Sequence, residues 1–171
     1  MASTRMIELE SQEVVSTSYA TATATASLRV LASVSSLAAA LLVATNHQER
    51  WGIRVDFTMF QVWVAFVVIN LVCAVYAAAT ATLTRKLMSQ SWLHNMDQLM
   101  VNLEAAATAG AGAVGAIAMW GNEASGWFAV CRMYRRYCNV GAAALVLSFA
   151  AALFLGFACA RSRYPRTLPL V

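Results

Sequence analysis

The chain has 171 residues, 60% of them hydrophobic and 12% charged, with a mean hydropathy of +0.62, which excludes an ordinary water-soluble domain and points to a membrane protein. A formal net charge of +4 would suit nucleic acid, but the basic residues are scattered over tails and loops instead of forming a patch, so no nucleic-acid partner is expected. Four charge-poor stretches, about 28–45, 57–83, 96–120 and 137–160, each approach the ~20 residues a helix needs to cross hydrocarbon. They predict an all-α protein, a four-helix transmembrane bundle, with a single membrane domain over 27–161.

The opening "MASTRMIELESQEVVSTSYATATATAS" lacks the basic-then-apolar design of a cleavable signal, and Glu8, Glu10 and Glu13 interrupt it. Residues 1–26 therefore read as a disordered, Ser/Thr/Ala-rich cytoplasmic tail, with the first span as an uncleaved insertion signal. An even number of spans places both termini on one side. Arg5, Arg85, Lys86, Arg161, Arg163 and Arg166 on the terminal side stand against Arg50, Arg54, Arg132, Arg135 and Arg136 on the other, a slight vote for cytoplasmic termini. Trp51, Trp120 and Trp127 mark one boundary, and Trp92 and Tyr164 the other.

Span one carries Arg29 in "ASLRVLASV". Span two, "FTMFQVWVAFVVINLVCAVYAAATATL", is apolar all round; Gln61 and Asn70, nine residues apart, face different directions, and Asn70 reads as an ordinary packing residue, the alternative being a bond to a neighbouring helix. Span three carries Asp97 and Glu104 in "HNMDQLMVNLEAAA". Charges at such depth are costly and often functional. Spans one and three run the same way, so Arg29 can form an ion pair across the bundle. Either acid suits as partner, since Glu104 lies nearly on the face of Asp97 and about 10 Å deeper. The alternative is that Arg29 snorkels to headgroups while Asp97 caps the first turn of its helix.

Span three also contains "TAGAGAVGAI", whose Gly110, Gly112 and Gly115 match the G-x-G-x-x-G of a dinucleotide-binding loop. That loop needs a strand before it, a helix opening on its glycines and an acid about 20 residues on. None is present. Ala106, Gly110 and Val114, or Ala107, Ala111 and Gly115, instead repeat every four residues, which allows close helix packing. Gly112 belongs to the same small-residue run, and span three is expected to be the central contact, with a partner helix either within the chain or on another subunit.

Between spans three and four, Cys131 and Cys138 bracket "RMYRRY". C-x6-C is not a zinc spacing, and a disulfide is the natural reading for a loop outside the cytoplasm. In straight helix the two would stand about 10 Å apart, so the bridge demands a bend. Cys73 and Cys159 lie within spans as small apolar side chains, Cys159 being close enough to the membrane edge for S-acylation. His47 and His94 are isolated. No nucleophile, metal or redox constellation emerges, so neither catalytic residue, metal nor cofactor is expected. Residues 162–171 form a second cytoplasmic tail, whose arginines can contact anionic lipid at about 1 kcal/mol each.

Taken together, "LRVLA…ATN" around Arg29, "MDQLM" around Asp97, "GN" at Gly121 and Asn122, "WFAVC" and "YC" around Trp127, Cys131 and Cys138, and "LSF" at Ser148 and Phe149 carry a resemblance. Over roughly Ser27 to Ala160 the chain resembles the CASP-like (Casparian strip membrane domain protein-like) proteins of plants, tetraspan proteins distantly similar to MARVEL-domain proteins. The resemblance implies a multi-pass plasma-membrane protein with cytoplasmic termini that forms homodimers or hetero-oligomers with other CASP-like proteins. It further implies an oligomeric scaffold that organises membrane domains and recruits cell-wall-modifying enzymes. The first loop, "NHQERWGIRVDFTMFQ", is short and lacks the longer signature of the founding members, a departure that bears on the Casparian strip role itself. The competing reading is a small channel or transporter using the intramembrane charges. A closed buried pair favours the scaffold, whereas an aqueous cavity beside Glu104 favours transport.

Overall fold

The computed structural model describes residues 2–83 and 90–163; Arg85, Lys86, Tyr164 and Arg166, counted above, lie outside them. Four helices dominate: α1 (Ala2–Thr45), α2 (Gln61–Leu83), α3 (Gln90–Trp120) and α4 (Arg135–Arg163). All four are long and apolar enough to cross a membrane. The 23 residues of α2 rise about 35 Å, enough for a hydrocarbon layer of about 30 Å.

Helix boundaries follow breakers and caps more closely than hydropathy. From Ala2 to Trp51 the sequence contains neither Gly nor Pro, so nothing interrupts α1. The segment 2–26, expected as a disordered tail, is helical and continuous with the first span. The second span begins at Gln61, because Phe57–Met59 form a 3₁₀ turn that the Asp56 carboxylate caps through the Thr58 amide. The third begins at Gln90, so Asp97 lies two turns inside the helix and cannot serve as its cap.

The first loop holds an unexpected β-hairpin. β1 (Gln48–Arg50) pairs antiparallel with β2 (Ile53–Val55), with Arg50 opposite Ile53. The two-residue turn places Trp51 at φ 52° and Gly52 at φ 78°, the twin positive angles of a type I′ connection.

In the bundle α1 packs against α2 and α4, and α3 against α4 and, more sparsely, α2. Alanine dominates the interior: Ala39, Ala40, Ala107, Ala111 and Ala144 surround Trp63, Phe66 and Val67 near the loop end. Ala32, Cys73, Ala77 and Leu155 form a second cluster toward the termini. Trp63 meets Phe66 edge to face at 5.6 Å, and a Cβ added to Gly141 would stand 3.4 Å from the Trp63 ring. The close approach that span three was expected to provide thus occurs on α4.

Within the chain, span three is accordingly not the central packing element. Ala111 is fully buried and Ala107 nearly so, but Ala106 is exposed, and a Cβ on Gly110 would meet only the Val62 side chain at 3.7 Å. A Cβ on Gly112 would meet nothing within 4 Å, and one on Gly115 only the Leu145 side chain at 3.8 Å. Gly112 and Gly115 instead line a cavity of about 430 Å³, together with Trp63, Trp120, Tyr137 and Leu145. The glycine run lies within a single helix, and its missing side chains leave space in the bundle wall.

Candidate functional site: a polar ladder across the bundle

Arg29 and Asp97 are both fully buried. The guanidinium grips the carboxylate with both nitrogens, Nη1 donating to Oδ1 at 2.9 Å and Nη2 to Oδ2 at 2.5 Å. Nη1 also donates to Thr80 Oγ1 at 2.8 Å, and the Tyr76 hydroxyl donates to Asp97 Oδ1 at 2.7 Å. Tyr76 and Thr80 are one turn apart on α2, on the side chains' common face. Three helices therefore meet at one charge pair. Its fork geometry matches Arg to carboxylate and would not suit Lys. Arg29 turns inward and does not snorkel.

One heptad deeper the arrangement repeats with different chemistry. Ser36, seven residues after Arg29, donates to Oε1 of Glu104, seven residues after Asp97, at 3.1 Å. Ser148 Oγ of α4 stands 3.1 Å from the same oxygen and 2.7 Å from Thr108 Oγ1. Cys73 of α2 adjoins both Ser36 and Glu104. The two rungs cross the bundle between parallel α1 and α3, and the same heptad separates them on each helix. Ser33 adds a bond to the Ala74 carbonyl at 2.8 Å. Asn70, fully buried, donates to the Phe66 carbonyl of its own helix at 3.0 Å instead of bonding a neighbour.

The loop end is tied separately. Cys131 and Cys138 form a disulfide with Cα atoms 5.8 Å apart. A 3₁₀ turn at Val130–Arg132 supplies the bend that brings them together. Gly121 adopts φ +78°, and a Cβ there would stand 2.9 Å from the Trp127 carbonyl oxygen. Asn122 and Trp127 exchange backbone bonds of 2.9 and 3.0 Å, so Gly121, Asn122 and Trp127 together form a tight loop. Asn46 donates to the Tyr137 carbonyl at 2.9 Å, Gln48 accepts from the Tyr137 amide at 3.1 Å, and Arg50 donates to the Met133 carbonyl at 2.8 Å. The first loop thereby braces the second.

Sequence reasoning missed Tyr76 and Thr80, although an i, i+4 polar pair at the terminal end of an apolar helix was a usable signal. It also missed Ser36 and Thr108, which carry no such mark, and singled out Ser148 only as part of a family motif, without a partner, because Ser and Thr commonly satisfy themselves within a helix. His94, read as isolated, has Nδ1 3.3 Å from the Cys159 sulfur. Among the described residues no three His, Cys, Asp or Glu side chains gather as a metal site.

Comparison with known proteins matches residues 18–154 to the Casparian strip membrane protein domain. CASP-like protein UU1 of Oryza sativa subsp. indica is 68% identical over 165 residues, covering 96% of this chain and 99% of the relative. CASP-like protein UU-1 of Oryza sativa subsp. japonica is 69% identical over 166 residues, with coverage of 96% and 99%. Casparian strip membrane protein 1 of Medicago truncatula is 30% identical over 143 residues, with coverage of 75% and 76%. No solved structure matches the chain. With four membrane-spanning helices and this domain over most of its length, the chain is a multi-pass membrane protein that belongs to the CASP-like family of plants.

Proposed function

We propose that this protein is a non-enzymatic scaffold of the plasma membrane, which oligomerises with itself or with other CASP-like chains and holds cell-wall-modifying partners in place. The closed Arg29–Asp97 pair carries the reading. A fully buried bidentate pair, saturated by Tyr76 and Thr80, fixes helix arrangement but offers no open coordination for a passing solute. The cavity of about 430 Å³ lies near the loop end, with an almost wholly apolar lining that does not include Glu104. It is thus not the aqueous cavity a transporter would place there.

The disulfide in the second loop supports an orientation with both loops outside and both termini in the cytoplasm, since disulfides persist in oxidising compartments. The outward face of α3, with exposed Ala105, Ala106, Ala109 and Ala113, suits close approach of a helix from another copy. The decisive experiment is single-particle tracking of the tagged protein in plant plasma membrane, beside Arg29→Ala and Asp97→Ala. The scaffold predicts immobile patches for the wild type and free diffusion for both variants. Freely diffusing small particles of wild type would overturn it.

A further inference from the structure

We propose that Glu104 is a proton-binding site in the middle of the bundle: its carboxyl is a neutral acid whose proton, on Oε1, is donated to Ser148 and joins α3 to α4. The inference comes from counting protons along a chain of contacts and is independent of the scaffold reading.

Three gaps follow in series. Glu104 Oε1 is 3.1 Å from Ser148 Oγ, Ser148 Oγ is 2.7 Å from Thr108 Oγ1, and Thr108 Oγ1 is 2.8 Å from the backbone carbonyl oxygen of Glu104. Each distance is that of a hydrogen bond, and each bond needs one proton. The carbonyl cannot donate, so the last gap takes the Thr108 proton. Thr108 then has none left, and the middle gap takes that of Ser148. Nothing remains for the first gap except a proton on the carboxyl itself. With an ionised Glu104, two hydroxyl protons would serve three gaps, and one pair of oxygens would face each other with lone pairs alone.

The surroundings agree. Ser36 faces Glu104 from α1, Cys73 from α2 and Ser148 from α4, none of them cationic. The nearest guanidinium, Arg29, is held by Asp97 one rung away, about 10 Å along the axis. Glu104 Oε2 is buried without a hydrogen-bond partner. A bare oxygen is tolerable on a neutral acid, whereas half a negative charge without donors in a bilayer interior is much costlier. The two rungs thus divide the labour. The upper is ionic and the lower a shared proton.

Infrared difference spectroscopy tests this on the full chain reconstituted in lipid at neutral pH. Wild type minus Glu104→Gln is expected to show a carboxylic-acid carbonyl band that shifts in deuterated water. A difference confined to the carboxylate stretches would overturn the proposal. Should Glu104→Gln fail to fold, Ser148→Ala provides the second reading. Removing the acceptor should move the acid band to higher frequency, and Thr108→Val, which breaks the relay one step later, should move it less. An acid band unmoved by Ser148→Ala would show that the proton does not lie on this chain.

Discussion

At the residue scale, burial decides what each charge is worth. Arg29 and Asp97 could be replaced together by apolar residues of matching volume at small cost, but removing one partner strands a charge, at about 3–5 kcal/mol. Asp97→Ala should therefore reduce assembly and delivery to the cell surface, read by size-exclusion chromatography in detergent and surface labelling. Asp56→Ala, in the first loop, should change either far less. Asp56, half-buried in the first loop, has a different role. Hydrogen bonds from Thr58 hold its carboxyl below the usual carboxylate range, so the cap is present above the ordinary aspartate value and is lost as pH falls through the depressed one. The Thr58 amide resonance should report that loss on acidification, and Asp56→Asn should remove the pH dependence. Gly121 is constrained by both angle and space. Gly121→Ala should destabilise the second loop by about 1–3 kcal/mol, measurable as faster hydrogen exchange at Asn122 and Trp127. Arg29, Asp97 and Glu104 stood out in the sequence because charges in hydrophobic runs are conspicuous. Their hydroxyl partners did not, because a serine inside an alanine-rich helix looks the same whether it bonds its own backbone or a carboxyl on another helix.

At the element scale, the loops are more ordered than their composition indicates. The hairpin turn places Trp51 at positive φ, where Asn would sit with less strain, and Trp51→Asn should raise hairpin stability by up to about 1 kcal/mol. The Arg50 guanidinium lies 5.1 Å from the Trp51 ring centroid, a contact that same change would remove, so the net gain tests which term is larger. In the second loop, the disulfide closes a short segment at the start of α4. Cys131→Ser should cost about 2–3 kcal/mol in loop order without affecting membrane insertion, because the four apolar helices are independent of it. A free-thiol count unchanged by reduction of the wild type would count against the bridge. Periodicity located the helices to within a few residues where a cap or breaker lay nearby. It did not reveal 48–55, where the hairpin is held by bonds to Met133 and Tyr137 that no local pattern reveals.

At the scale of the whole molecule, the bundle is an alanine-lined shell around a polar ladder, braced at one end by interlocking loops. If the loops face the outside, a membrane-impermeant maleimide applied to intact cells should label Cys131 and Cys138 only after reduction, while tags on either terminus should become accessible only on permeabilisation. Labelling of the tags on intact cells would invert the orientation. The sequence by itself determined that the chain lives in a membrane, that it crosses four times, which residues are the costly charges, and to which family it is similar. The first three follow from local composition and spacing, because the bilayer penalises each charge and rewards each apolar stretch wherever it occurs; the family similarity rests instead on the particular residues quoted above. Only the tertiary structure decided that Arg29 takes Asp97 and leaves the Glu104 carboxyl to the hydroxyls of Ser36 and Ser148, that Gly112 and Gly115 open a hollow while Gly141 meets Trp63, and that Tyr76 and Thr80 complete the ion pair. These depend on the rotation and depth of helices relative to one another. Rotation about a helix axis is set by packing between chain segments far apart in sequence, and hydropathy, nearly uniform around these helices, carries no information about it.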